Sequence, residues 1–77
     1  MKRVYQFDKE KTAGIIRGLR ATARLTQKEL AEKAHVSEAS IKCYENGENV
    51  MSLEAAVGIA TALGVTPSDL VSTVEAD

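Results

Sequence analysis

The chain contains 77 residues, of which 27% are charged, and its formal net charge is −1. A chain of this length encloses one small hydrophobic core, which predicts a single domain over residues 1–77. It has one cysteine and neither a signal-peptide core nor an apolar run of about 18 residues, so we expect a cytoplasmic protein and exclude a membrane or disulfide-stabilised one.

The N-terminal region divides into an arm and a helix. Residues 1–7 alternate loosely, with Val4, Tyr5 and Phe7 apolar after the start, but the segment is too short to predict a strand and is an N-terminal arm to which the sequence assigns no role. Asp8 is a suitable N-cap, and Ile16, Leu19 and Ala23 recur at helical spacing after it. These signals predict a first helix that reaches about Ala23 and turns those three side chains toward the core.

The clearest local signals lie between residues 25 and 47. Thr26 and Glu29 have the spacing of a capping box, so a helix is predicted to begin at Gln27. Its apolar pattern breaks at residues 35–36, and Ser37 then offers a second N-cap. The second helix should end near Gly47, because glycine readily adopts the left-handed conformation that follows many helices. Residues 27–46 therefore read as two short helices joined by a tight turn, a helix-turn-helix.

The second of these helices has two different sides. At helical spacing the side expected to pack contains Ser40, Ile41 and Tyr44. The opposite side is polar or small and is expected to face outward; it contains Glu38, Ala39, Lys42, Cys43 and Asn46. His35 occupies the turn, and we interpret it as a slightly strained turn residue.

Two further helices are predicted downstream. Ser52 caps a fourth helix that ends at Gly64, and Pro67 follows a threonine cap at the start of a fifth helix of about residues 67–73. The apolar stripe expected on the fourth helix consists of Leu53, Ala56, Val57, Ala60 and Leu63. The acidic tail should fray. The predicted fold class is all-α, a compact arrangement of five short helices with a core over about residues 9–71.

The charges are unevenly distributed along the chain. Residues 1–33 contain nine lysines and arginines and four acids, whereas residues 34–77 contain one lysine and seven acids. A basic half is typical of a surface that binds phosphates, although halves of an ordinary charged domain also differ by chance.

At these residues the chain resembles the lambda-repressor-like (Cro-like, XRE-type) helix-turn-helix family. The resemblance covers about residues 9–71. It is carried by Gln27, Leu30-Ala31, Val36-Ser37, Ser40-Ile41, Tyr44-Glu45 and Gly47, with Ile16-Arg17, Leu19-Arg20 and Leu25-Thr26 before them and Ser52-Leu53, Ala60, Ala62-Leu63-Gly64-Val65 and Leu70 after them.

The resemblance implies a sequence-specific DNA-binding transcription regulator, a repressor, that places residues 37–46 in the major groove of operator DNA. The DNA-binding positions it implies are Gln27, Lys28, Ser37, Glu38, Ala39, Lys42, Cys43 and Asn46. Gln27 is expected to contact a backbone phosphate, and Glu38, Ala39 and Cys43 to meet base edges. Arg20 and Glu45 are expected to form a structural ion pair between the first and third helices.

The sequence departs from the family pattern in ways that reduce the affinity for a polyanion. Glu38 lies on the face that should enter DNA, and the loop after Gly47 begins with Glu48, where relatives commonly carry basic residues. Fewer cations at the phosphates imply weaker non-specific binding and a shallower salt dependence.

An enzyme is the least favoured class. The chain has one histidine and one cysteine, eight positions apart, which gives neither a catalytic constellation nor the spacing of a metal site. We therefore predict no catalytic residues, no metal, no cofactor and no small-molecule ligand.

Two functions remain open. The first is the DNA-binding regulator, expected as a homodimer on a palindromic operator, with its partner surface at the arm of residues 1–7 or, preferably, at a C-terminal helix over residues 67–74. The second is a helix-turn-helix scaffold used as a protein-interaction or antitoxin-like module with little or no DNA binding. The acids Glu38 and Glu48 and an isoelectric point near 5.8 favour this second function.

Overall fold

The computed structural model describes the backbone of residues 4–71 and 73–76 and the side chains of residues 8–71. Five helices form the body of the molecule, and one short strand lies at each end of the described chain. In chain order the elements are β1 (Val4–Phe7), α1 (Lys9–Thr22), α2 (Gln27–Ala34), α3 (Glu38–Glu45), α4 (Leu53–Leu63), α5 (Pro67–Leu70) and β2 (Thr73–Ala76). The all-α prediction is confirmed for the body.

The helices begin where the sequence places their caps. The Asp8 carboxylate accepts a hydrogen bond from the Lys11 amide, and the Ser37 and Ser52 hydroxyls cap α3 and α4 in the same way. At α2 the capping box is complete, because Glu29 donates its amide to the Thr26 hydroxyl and accepts from the Thr26 amide. Such bonds satisfy amides that have no partner within the helix, which is why these positions start helices.

Four of the helices are followed by a residue in the left-handed region. Arg24 has φ 59° after α1, His35 has φ 58° after α2, Gly47 has φ 72° after α3 and Gly64 has φ 73° after α4. Glycine adopts this conformation without a steric penalty, whereas a histidine carries a Cβ atom and is less favoured there. The predicted strain at the turn between α2 and α3 is therefore located at His35.

One continuous core joins the five helices. Its largest fully buried apolar side chains come from α1, α2, α3, α4 and α5 respectively, and they are Ile16, Leu30, Ile41, Ile59 and Leu70. The prediction for α1 is correct at Ile16 but wrong at Ala23, which is the exposed C-cap of the helix. Thr12 and Ala13 are buried instead.

The apolar stripe predicted for α4 is correct at Ala56, Ala60 and Leu63, which are buried or packed against the core, but wrong at two positions. Leu53 is 79% exposed and Val57 is 46% exposed, whereas Ala55 and Ile59 are buried. Gly58 explains this difference, since a Cβ atom at that position would lie 2.4 Å from the carbonyl oxygen of Ala34. Because α4 approaches the end of α2 this closely, the side of α4 that carries Gly58 is the side that faces α2.

The C-terminal region also differs from its prediction. Helix α5 ends at Leu70 instead of reaching residues 73–74, and residues 73–76 form β2. Strand β2 pairs with β1 in an antiparallel register that places Val4 opposite Ala76 and Phe7 opposite Thr73. No hairpin turn marks this pairing, because the two segments lie at opposite ends of the sequence. The predicted helical partner surface over residues 67–74 is therefore not present as a helix.

The predicted arm and tail fall partly on residues 1–3, 72 and 77, which lie outside the described residues. Within the described part of the chain, none of the helices has the length and apolar character needed to cross a membrane.

Candidate nucleic-acid interface

Helices α2 and α3 are connected by three residues and place α3 on the outside of the body. The turn is closed by the Val36 amide, which donates to the Ala31 carbonyl at 3.1 Å. On its inner face α3 buries Ile41 and Glu45, and Tyr44 packs partly exposed against the same core. The helix is thereby held by one side only, and its other side is left accessible.

A buried ion pair fixes the end of α3 to α1. The Arg20 guanidinium donates from Nε to Glu45 Oε2 at 2.7 Å and from Nη2 to Glu45 Oε1 at 2.9 Å. Arg20 also donates to the Leu25 carbonyl at 2.9 Å. The structure thus contains the ion pair that the family resemblance implies. The hydrogen bond that Arg20 donates to Glu45 raises the pKa of the Arg20 guanidinium.

Arg17 adds a contact that the sequence reasoning missed. Its guanidinium donates to the backbone carbonyl of Glu45, one of the carbonyls that the end of a helix leaves unpaired. The available signal was spacing, because Arg17 and Arg20 are three residues apart and therefore neighbours on α1. Two arginines of α1 thus hold the C-terminal end of α3.

The outward face of α3 contains the residues expected to read DNA. Ser37, Glu38, Ala39, Lys42 and Asn46 are exposed, and Cys43 is half-buried. Because these positions follow the helical repeat, they form one continuous strip beside the buried Ile41. Their contacts with bases or phosphates stay predictions.

Two of these positions interact with each other. Lys42 Nζ lies 3.8 Å from Glu38 Oε2, and the two side chains are 57% and 45% exposed. The Ser37 hydroxyl caps the helix and donates to the Ser40 hydroxyl at 2.9 Å. Part of the charge on the outward face is therefore neutralised within the protein.

Cys43 has an environment that disfavours its thiolate. A hydrogen bond between its thiol and Glu48 raises the pKa of Cys43, and partial burial acts in the same direction. Since the thiolate is the reactive form, this environment opposes nucleophilic or redox chemistry at Cys43.

Gln27 begins α2 but its side chain is turned toward α3. Its amide nitrogen Nε2 donates to Glu45 Oε1 at 3.2 Å. Lys28, the next residue, is exposed. The sequence predicted Gln27 at the start of the helix but gave no sign of this contact, because the two residues are 18 positions apart.

The rest of the described chain shows no arrangement for metal chemistry. Among the residues that the structure describes, no group of three histidine, cysteine, aspartate or glutamate side chains is placed to hold a metal ion.

These elements define a helix-turn-helix. Helix α2 is the capped scaffold helix, the tight turn contains His35 in the left-handed conformation, and α3 is the second helix, exposed along one side. The family profile described as a helix-turn-helix domain matches residues 13–72, which is most of the chain. The chain belongs to the lambda-repressor-like helix-turn-helix family.

Several solved structures have the same fold. The restriction-modification controller protein C.AhdI from Aeromonas hydrophila is 30% identical, with a TM-score of 0.78 over 82% of this chain and 96% of the other. The clp gene regulator ClgR from Corynebacterium glutamicum is 31% identical, with a TM-score of 0.75 over 80% and 66% of the two chains. An HTH_3 family transcriptional regulator from Vibrio cholerae is 25% identical, with a TM-score of 0.76 over 82% and 35%. None of the curated protein sequences matches the chain.

Proposed function

We propose that this protein is a sequence-specific DNA-binding transcription regulator that represses by occupying an operator. The observation that carries the proposal is the placement of α3, which is anchored through Ile41 and Glu45 and exposed along its other side. The major groove of B-DNA, about 12 Å wide, accepts an α-helix, and outward side chains then reach the base edges. The similarity to solved regulators supports the same function.

Within this proposal the two helices have different tasks. The first amides of α2, the Gln27 side chain and Lys28 contact backbone phosphates and set the position of the domain on the duplex. On α3, Glu38 accepts from the amino group of cytosine, Ala39 contacts a thymine methyl and Cys43 lies against the bases. Ser37, Lys42 and Asn46 complete the interface nearer the backbone.

The electrostatics indicate modest affinity for a single copy. Lys42 is paired with Glu38, and the exposed Glu48 follows the end of α3. Since the slope of log K against log salt is about −0.9 for each neutralised phosphate, few free cations imply a shallow salt dependence.

The test compares two exposed lysines of α2. Lys28 lies at the N-terminal end and Lys33 in the last turn, so only K28A should lose a phosphate contact. With DNA selected from a random library, fluorescence anisotropy across a salt series should show a slope reduced by about 0.9 for K28A. The K33A slope should equal that of the wild type. Equal slopes in all three proteins would contradict the proposed orientation.

We also propose a homodimer on a palindromic operator. One such module reads few base pairs, and two half-sites about 34 Å apart supply the remaining specificity. Leu53 and Val57, one turn apart on α4 and exposed, offer an apolar surface for the contact. L53E should lower the sedimentation mass to that of a monomer and remove the preference for a palindrome over one half-site, while its circular dichroism spectrum stays that of the wild type. A monomeric wild type at micromolar concentration would contradict the homodimer.

A second function is favoured by the exposed acids Glu38 and Glu48. An acidic outward face suits a basic protein surface, as in a protein-interaction or antitoxin-like module. Titration of the wild type with mixed-sequence DNA at low salt separates the two functions. Binding that weakens as salt rises supports the regulator, and no salt-sensitive binding supports the module.

A further inference from the structure

Gln27 and Glu45 join the scaffold helix to the end of the outward helix. Gln27 Nε2 donates to Glu45 Oε1 at 3.2 Å. A carboxylate can only accept hydrogen bonds, so the chemistry of the pair requires the nitrogen of the Gln27 amide to face Glu45. The contact therefore defines the orientation of a side chain that we place at a DNA phosphate.

Glu45 is a rigid anchor for this contact. Its side chain is 2% exposed, and both carboxylate oxygens accept from Arg20, at 2.7 Å and 2.9 Å. Arg20 is itself held by the Leu25 carbonyl. The positive charge of Arg20 offsets the negative charge of Glu45, so the anchor presents little net charge to an approaching phosphate.

The amide nitrogen of Gln27 carries two hydrogens, and Glu45 accepts one of them. The second hydrogen stays available to an outside acceptor, and the half-buried side chain is already restricted in its rotamers. A glutamine held in this way loses less conformational entropy on binding than a free one.

We propose that Glu45 is a positioning residue for DNA binding: it holds Gln27 so that the second N–H of its amide contacts a backbone phosphate. The inference rests on the proposed function, because it concerns the DNA complex. It gives Glu45 a task beyond tying α3 to α1, since one carboxylate then sets both the recognition helix and the phosphate contact of the scaffold helix.

The test is a double-mutant cycle with R20M/E45M, Q27M and the triple variant. R20M/E45M removes the acceptor of Gln27 but leaves no unpaired buried charge, and replacing a buried ion pair with apolar side chains of similar volume is often tolerated. It also leaves the net charge unchanged. R20M/E45M and Q27M should each weaken binding about three- to tenfold, as expected for one lost hydrogen bond. The triple variant should be no weaker than Q27M alone.

Lys28 supplies the matched control, because it is expected to contact phosphate independently of Glu45. The loss in K28A should therefore multiply with the loss in R20M/E45M. If the affinity losses of R20M/E45M and Q27M also multiply in the triple variant, the inference is overturned, because Glu45 then acts only through the placement of α3. Thermal melts of each variant define the temperature range in which the binding assays are made.

A measurement on the wild type keeps the inference testable if R20M/E45M does not fold. In ¹⁵N–¹H spectra the bond to Glu45 should shift one side-chain amide proton of Gln27 downfield before DNA is added, and only the other proton should shift strongly on binding. Return of the first proton to the position of a free glutamine amide on binding would mean that Gln27 leaves Glu45, which also overturns the inference. A wild type that binds no DNA would instead refute the proposed function, while the free-state spectrum still reports the Gln27–Glu45 contact.

Discussion

Helix α3 contains two glutamates, each paired with a cation, and the two lie at opposite ends of the helix, Glu38 as its first residue and Glu45 as its last. Glu45 is 2% exposed and accepts two hydrogen bonds from Arg20, of 2.7 Å and 2.9 Å. Glu38 is 45% exposed and lies 3.8 Å from Lys42 within the same helix. One pair joins separate helices, and the other joins neighbouring turns at the surface.

The buried pair is therefore a structural contact, whereas the exposed pair can exchange its partners. Removing one partner of a buried pair leaves an unpaired charge in a poorly hydrated site, which costs about 3–5 kcal/mol. A surface pair contributes about 0–1 kcal/mol, because water and salt replace the partner. Lys42 can therefore exchange Glu38 for a phosphate at little cost, whereas Arg20 and Glu45 stay together in free and bound protein.

The largest effect, on the free energy of unfolding, is expected when the buried pair is broken. E45A should lower the free energy of unfolding by about 3 kcal/mol, the lower end of the range for buried pairs, because Arg20 keeps some access to water. E38A, the matched removal of an acid from the same helix, should change it by about 0.5 kcal/mol or less. Urea unfolding followed by circular dichroism measures both. Equal losses in E38A and E45A would show that the two pairs do not differ as described.

A smaller effect is expected on DNA binding when the exposed pair is broken. E38Q removes a negative charge from the outward face and frees Lys42, so binding at low salt should strengthen by up to about fivefold, the equivalent of a surface ion pair. The slope of log K against log salt should become steeper by about 0.9 if Lys42 then neutralises one more phosphate.

Base preference provides the internal check for this variant. A glutamine offers both a donor and an acceptor, so the preference at one position should move from cytosine toward adenine. An unchanged affinity for every sequence, with an unchanged slope, would place Glu38 outside the groove.

The smallest effect concerns a third acid, Glu29, which is exposed like Glu38 but hydrogen-bonded like Glu45. The Thr26 amide donates to its carboxylate at 2.9 Å, and this backbone hydrogen bond lowers the pKa of Glu29. A carboxyl whose pKa is lower in the folded state stabilises the fold above its unfolded pKa of about 4.3. That stabilisation is lost as the pH falls through the folded pKa.

The melting temperature should therefore decrease as the pH is lowered from about 5 to about 3, and less steeply in E29Q than in the wild type. Asp69 has the same arrangement with the Thr66 amide, which lowers its pKa, so E29Q/D69N should be flatter still. Identical pH profiles for the three proteins would exclude the two capping boxes as the source of acid sensitivity.

The helix-turn-helix itself was predictable in detail. The start of α2 at Gln27, the cap at Ser37, the burial of Ile41 and the left-handed Gly47 all follow from signals within a few residues of one another. Caps and turns are made by hydrogen bonds between near neighbours in the chain, so their residue types are visible in any sequence that uses them.

Helix α4 shows where this reasoning fails. Apolar residues occur on almost every side of its sequence LEAAVGIATAL, so periodicity alone does not select the buried face. The selection is made by α2, whose Ala34 carbonyl approaches Gly58 too closely for any larger residue at that position. The exposed Leu53 is a consequence of that contact.

By itself the sequence determined where the helices begin, where α2, α3 and α4 end and which side of α3 faces outward, since these depend on local hydrogen bonds and a clear polar–apolar division. Only the tertiary structure decided the face that α4 buries, the pairing of β1 with β2 and the contact between Gln27 and Glu45. Each of these joins residues far apart in the chain. Their proximity depends on how the helices pack together, and no spacing within one segment encodes it.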